Sequence, residues 1–204
     1  MAKSEKHNKG NDVAADLNEN SIPILSDRFA TWLESLSKQE LLAWERIPDI
    51  GLYMDQVLTL MDRQLAMYKR EGEDKLLTQP MINNYTKDGL LPRATDKKYT
   101  QGHLALLSVL CSLKPVLSMS DVSVIFEHVR SSMDEQAIYD YFMTTQMHAI
   151  EQTTAALLPE VRDMGDKIQP EEVKSRLAQI ALQMAIEARV RILMTQQIID
   201  KIQK

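Results

Sequence analysis

Leu77-Thr78-Gln79-Pro80-Met81-Ile82-Asn83-Asn84-Tyr85-Thr86-Lys87-Asp88-Gly89-Leu90-Leu91-Pro92 lies near the middle of the chain, and its reading decides the rest. Thr78 is a residue type that accepts from a free backbone N–H at a helix start, and Pro80 is tolerated in the first turn. On a helical wheel Met81, Ile82 and Tyr85 share the side expected to face a core. Gln79, Asn83 and Lys87 lie opposite, with Asn84 and Thr86 on the flanks. Gly89 ends the helix as a left-handed cap, and Leu90-Leu91-Pro92 turns the chain away. A basic stretch follows, Arg93-Ala94-Thr95-Asp96-Lys97-Lys98-Tyr99, before Thr100 caps the next helix. A short capped helix, a glycine stop, a basic turn and a new helix form the order of a winged helix-turn-helix.

An exposed face of Gln, Asn and Lys suits DNA, because amides bond base edges bidentately and Lys neutralises phosphate. The expected contacts are therefore Gln79, Asn83, Asn84 and Lys87 from a recognition helix over 78–88. Arg93, Lys97 and Lys98 would hold phosphates from a basic wing over 92–99, with Tyr99 either packing at its base or bonding a phosphate. The net charge of −5 argues against nucleic acid only until its distribution is read. Between Lys75 and Lys114 six basic residues face two acidic ones, a surplus of four, which leaves an excess of nine negative charges elsewhere. The partner implied is double-stranded DNA, met by one part of an otherwise acidic protein.

Working outward, residues 1–20 hold almost nothing to bury and are expected to form a disordered tail. Ser26 precedes Phe29, Trp32, Leu33 and Leu36, an amphipathic helix spacing, and Ser37 with Glu40 reads as a capping box before Leu41, Leu42 and Trp44. Val57, Leu58, Met61, Leu65 and Tyr68 mark a longer helix ending near Gly72. After the wing, Leu104, Leu107, Leu110 and Leu113 form a helix stopped by Pro115. Ser118 with Asp121 caps another, and Ser132 with Glu135 opens a third segment ending at Pro159. Pro170 opens a last helix of roughly 34 residues, about 50 Å long. Its middle, Leu177 to Met194, is apolar on more than one face, which calls for cover on more than one side. A second subunit is the expected cover, and the chain is expected to be a homodimer.

The 204 residues include only six Gly, seven Pro and 5% aromatics, which argues against a turn-rich all-β fold. The lone Cys111 rules out an internal disulfide and a multi-thiolate metal site, and reads as a small buried hydrophobe. His148 and Glu151 stand one turn apart without further ligands and read as a surface pair. No Gly-rich phosphate loop, nucleophile elbow or zinc-protease motif is present, so neither enzyme nor cofactor is expected. No signal-peptide core and no membrane-length apolar run is read, and the expected location is the cytoplasm.

Ile82 to Pro92, the wing ending in Lys98-Tyr99-Thr100, the Leu-rich helix after it and Leu117-Ser118 opening another together resemble the MerR-type winged helix. In a wider frame, roughly residues 45–150, the chain resembles an uncharacterised bacterial domain family described as MerR-like. The resemblance implies a mainly α protein: a winged helix-turn-helix head with flanking N-terminal helices and long C-terminal helices. It would divide into a tail (1–20), a helical head (21–130) and a C-terminal helical dimerisation region (131–204). The implied function is sequence-specific DNA binding by a transcriptional regulator. The sequence departs from that pattern at Asn83, where the family's phosphate-clamping Arg stands, and at Asn84, where it has Tyr; Tyr85 matches the second aromatic position. The lost clamp and the acidic remainder leave an alternative, a protein–protein interaction module on a winged-helix scaffold that no longer binds DNA.

Overall fold

Residues 103–110 are buried without a break, the middle of a helix running Gln101–Leu113 around which the head is assembled. The computed structural model describes residues 22–38, 42–70, 75–167 and 169–204. Among these, seven helices follow in order: α1 (Ile22–Ser37), α2 (Met54–Gln64), α3 (Gln79–Lys87), α4 (Gln101–Leu113), α5 (Met119–Val129), α6 (Glu135–Lys167) and α7 (Pro170–Ile202). Single 3-10 turns stand at Trp44–Arg46 and Ala66–Tyr68. The described residues contain no strand, only isolated antiparallel bridges joining Leu52 to Tyr99 and Thr95 to Lys98. The fold is mainly α, as the composition implied.

The main core gathers Val57 and Met61 of α2, Ile82 and Tyr85 of α3, Leu104 to Leu110 of α4, Val122 and Phe126 of α5, Ile138 and Tyr139 of α6, and Ile199 of α7. Helix α1, which the sequence reading assigns to the head, packs elsewhere. Its Ala30 and Leu33 are buried against Val161 of α6, with Leu157 and Leu158 alongside. The α6–α7 hairpin closes at its far end on Met164, Val173 and Ile180.

Several expected boundaries move. Ser118 caps α5 as read, accepting from the Asp121 N–H at 3.1 Å. Ser37 instead closes α1, donating to the Glu34 carbonyl at 2.9 Å, and the next described element is the 3-10 turn at Trp44; Glu40 lies outside the described residues. Helix α2 ends at Gln64 rather than near Gly72, which also lies outside them. Asp134, not Ser132, opens α6, its Oδ1 accepting from the Ala137 N–H at 2.8 Å. Ser132 turns back to the Val129 carbonyl at 3.2 Å.

Pro159 does not end α6, which runs on to Lys167. A proline inside a helix costs ~3 kcal/mol or more through its missing donor and ring clash. Leu157, Leu158 and Val161 straddle Pro159 and pack beneath α1, so burial holds the helix together where local propensity would break it. The tail read at residues 1–20 lies outside the described residues. No described helix is long and apolar enough to cross a membrane.

Candidate nucleic-acid interface

Helix α3 divides as its wheel requires. Ile82 and Tyr85 are buried and Met81 is half-buried, while Gln79, Asn83, Asn84 and Lys87 are exposed on the other sides. Thr78 holds extended backbone at the N-cap (φ −129°, ψ 159°), but its hydroxyl makes no capping bond; Pro80 occupies the first turn as read. At the other end Gly89 takes φ +73°. The Leu90 N–H donates to the Tyr85 carbonyl at 2.9 Å and the Gly89 N–H to the Thr86 carbonyl at 3.3 Å. These two bonds are a Schellman motif, the cap that the glycine predicts.

Arg130, the C-cap of α5, locks that corner from outside. Its Nη1 donates to the Gly89 carbonyl at 3.0 Å and its Nη2 to the Leu90 carbonyl. The guanidinium also lies 5.0 Å from the centroid of the Phe126 ring. Partial burial lowers its pKa, with the Glu135 charge opposing. No local pattern in the sequence connects position 130 with position 89, so Arg130 carries no signal there.

The basic segment read as a wing is a tight turn. The Lys98 N–H donates to the Thr95 carbonyl at 2.9 Å, with Asp96 (φ 52°) and Lys97 (φ 61°) both left-handed at the tip. Two positive φ values are the signature of a type I′ turn, which favours Asn or Gly. Arg93, Lys97 and Lys98 are exposed, and among the described residues no ion pair neutralises them or Lys87. Lys98 instead places Nζ 5.6 Å from the centroid of the Tyr53 ring.

Tyr99 takes the first of its two expected roles. It is 8% exposed, bonds Leu52 through both backbone groups at 2.8 and 2.9 Å, and meets the His103 ring edge-on at 5.4 Å. Burial raises its phenol pKa. A buried ring anchoring the wing is not placed to touch phosphate directly. Gly51, read in the sequence only as a breaker, makes this docking possible: a Cβ there would lie 2.9 Å from the Lys98 Cβ.

Beneath the wing, the His103 Nδ1 accepts from the Thr100 N–H at 3.1 Å, a capping box with histidine in the place usually held by Glu or Gln. Burial lowers the His103 pKa, opposed by the Pro92 and Arg93 carbonyls and the Glu135 charge. Behind α3, the buried Tyr85 hydroxyl has no hydrogen-bond partner among the described residues, and burial pushes its pKa up to about 12, with Cys111 adding to the shift. Cys111, read as a small buried hydrophobe, is half-buried; burial likewise pushes its thiol up to about 12, Lys114 opposing, which disfavours the reactive thiolate. His148 and Glu151 are both exposed on α6, and no group of three or more His, Cys, Asp or Glu among the described residues could hold a metal.

The arrangement therefore joins an amide-rich helix face to an unneutralised basic turn through a corner fixed by Arg130. No curated protein and no solved structure matches the chain. Residues 42–142, from Leu42 just before Trp44 to Phe142 in the second turn of α6, match the family model described as a domain of unknown function, DUF1836.

Proposed function

We propose that the chain is a sequence-specific DNA-binding protein, a transcriptional regulator of the cytoplasm whose head works as a MerR-like winged helix-turn-helix. Asn83 and Lys87 of α3 enter the major groove with Gln79 and Asn84 assisting. Arg93, Lys97 and Lys98 hold flanking phosphates, and Tyr99 supports them from beneath. Two heads joined by C-terminal pairing would read a pseudo-palindromic site. The observation that carries this reading is the free face: all seven of these polar and basic residues are exposed, while Ile82 and Tyr85 hold the same helix to the core. A face meant to pack on the protein's own body would be covered.

Lys97 adds weight of a different kind. A lysine at positive φ costs about 1–2 kcal/mol that a glycine would avoid, so a charge at the turn tip is kept against the backbone's preference. The test is fluorescence anisotropy of the purified protein with DNA from its own upstream region, competed by scrambled duplex, at low and physiological salt. Specific binding that disappears in an Asn83→Ala, Lys87→Ala variant supports the reading. Absence of binding even at low salt overturns it.

One observation favours a second reading. Tyr53 beneath Lys98 is 50% exposed, and Ile50, beside the Gly51 that Lys98 approaches, is 67% exposed, an apolar and aromatic patch near the cations. Such a patch suits an acidic protein partner better than bare phosphate. Under that reading the same head binds protein and shows no preference among DNA duplexes.

A further inference from the structure

Among the described residues, nothing covers the middle of α7. Residues 181–191 are exposed without exception, yet they include Leu182, Met184, Ile186 and Val190. The helix is held at its two ends, by Val173 and Ile180 against Met164 and by Ile199 in the main core. On the side facing α6 the two helices part around a groove of about 530 Å³ between Ala149, Thr153 and Ala156 on one wall and Met184, Ala188 and Arg191 on the other. The opposite side carries a seam. At 100° per residue, Leu182, Ile186, Val190 and Leu193 fall within about 80° of one another, roughly opposite Val173, Ile180 and Ile199.

We infer that this outward seam is where a second copy of the chain packs, α7 against α7, antiparallel about Ala188. This deepens the two-copy part of the proposed function and does not depend on DNA contact. Three observations carry it. The first is size. Leu182, Ile186, Val190, Leu193 and the flanking Met194 are 63%, 57%, 45%, 48% and 62% exposed. They leave on the order of 500 Å² of apolar side chain per copy, so two copies remove about 1,000 Å² before any polar rim is added, the threshold of a specific interface.

The second is charge. From Leu177 to Ile199 the chain carries one acid, Glu187, and two bases, Arg189 and Arg191. The seam thus presents no strong field of one sign to a copy of itself. The third is symmetry of spacing about Ala188. Ile186 and Val190 stand two residues to either side, Leu182 and Leu193 six and five, Gln179 and Gln197 nine. A two-fold axis there sets Ile186 near Val190 of the partner subunit, leucine near leucine, and amide beside amide at both ends.

Light scattering on the full chain tests this, alone and as an Ile186→Glu, Leu193→Glu variant, with circular dichroism to follow the helices. The expected result is twice the 23.3 kDa chain mass for the natural protein, and a single chain mass for the variant with helical content retained. A natural protein that stays monomeric at tens of micromolar overturns the inference, as does a variant that remains dimeric. Orientation is read by oxidative cross-linking, for which half-buried Cys111, its thiol pKa pushed up to about 12, is a poor competitor. Leu182→Cys with Leu193→Cys in one chain should link the subunits efficiently, and Leu182→Cys alone should not. Efficient linking by Leu182→Cys alone overturns the antiparallel arrangement. Anisotropy reports DNA contact separately, so a dimer that ignores DNA defeats only the proposed function.

Discussion

Lys97 and His103 carry the sharpest consequences at the level of single residues. Replacing Lys97 by glycine relieves a left-handed backbone and should raise the unfolding free energy in urea by about 1 kcal/mol. The same change should weaken DNA binding and reduce its salt slope by about one. Gain of stability with loss of affinity separates a charge kept for binding from one kept for folding. His103 bears on pH. Its pKa in the folded protein is lowered by burial, so below pH ~6.5 the unfolded chain takes the proton more readily. Stability should therefore fall as pH drops from about 6.5 toward the lowered value, and stay level above it. His103→Gln keeps an acceptor for the Thr100 N–H and should flatten that window in thermal melts at pH 5.5 and 7.5.

At the scale of elements, α3 is set between a cap and a clamp. Gly89→Ala meets nothing within 4 Å, so its cost is that of a left-handed alanine, about 1 kcal/mol. Arg130→Met removes two charge-assisted bonds to the same corner and should cost more, about 1.5–3 kcal/mol. Urea unfolding of both variants checks the order; equal losses would deny Arg130 its anchoring role. The division of α3 into buried and free sides, its glycine stop, the basic turn and the caps at Thr100 and Ser118 were legible because each is written within a few residues. Arg130, the Gly51–Lys98 approach and the seat of α1 were not, because each joins positions far apart in the chain. Pro159 misled for the same reason: its local signal says stop, while burial under α1, more than a hundred residues earlier, says continue.

For the whole molecule, the separation of charge and the bareness of α7 are properties that no single helix shows. The head segment's positive surplus sits on an acidic remainder, so the field of the chain can orient the head toward a polyanion while the rest is repelled. The composition of the last helix calls for cover on more than one side, and among the described residues of one chain its central turns have none. Among the described residues, α7 is held by Val173 and Ile180 at one end and by Ile199 at the other, a beam supported toward its tips. A load on mid-span is borne by both supports at once. Whatever grips that beam at its centre therefore acts on the α5 side of the head through Ile199 and on the hairpin tip through Val173, with about 20 Å of helix as the lever arm on each side.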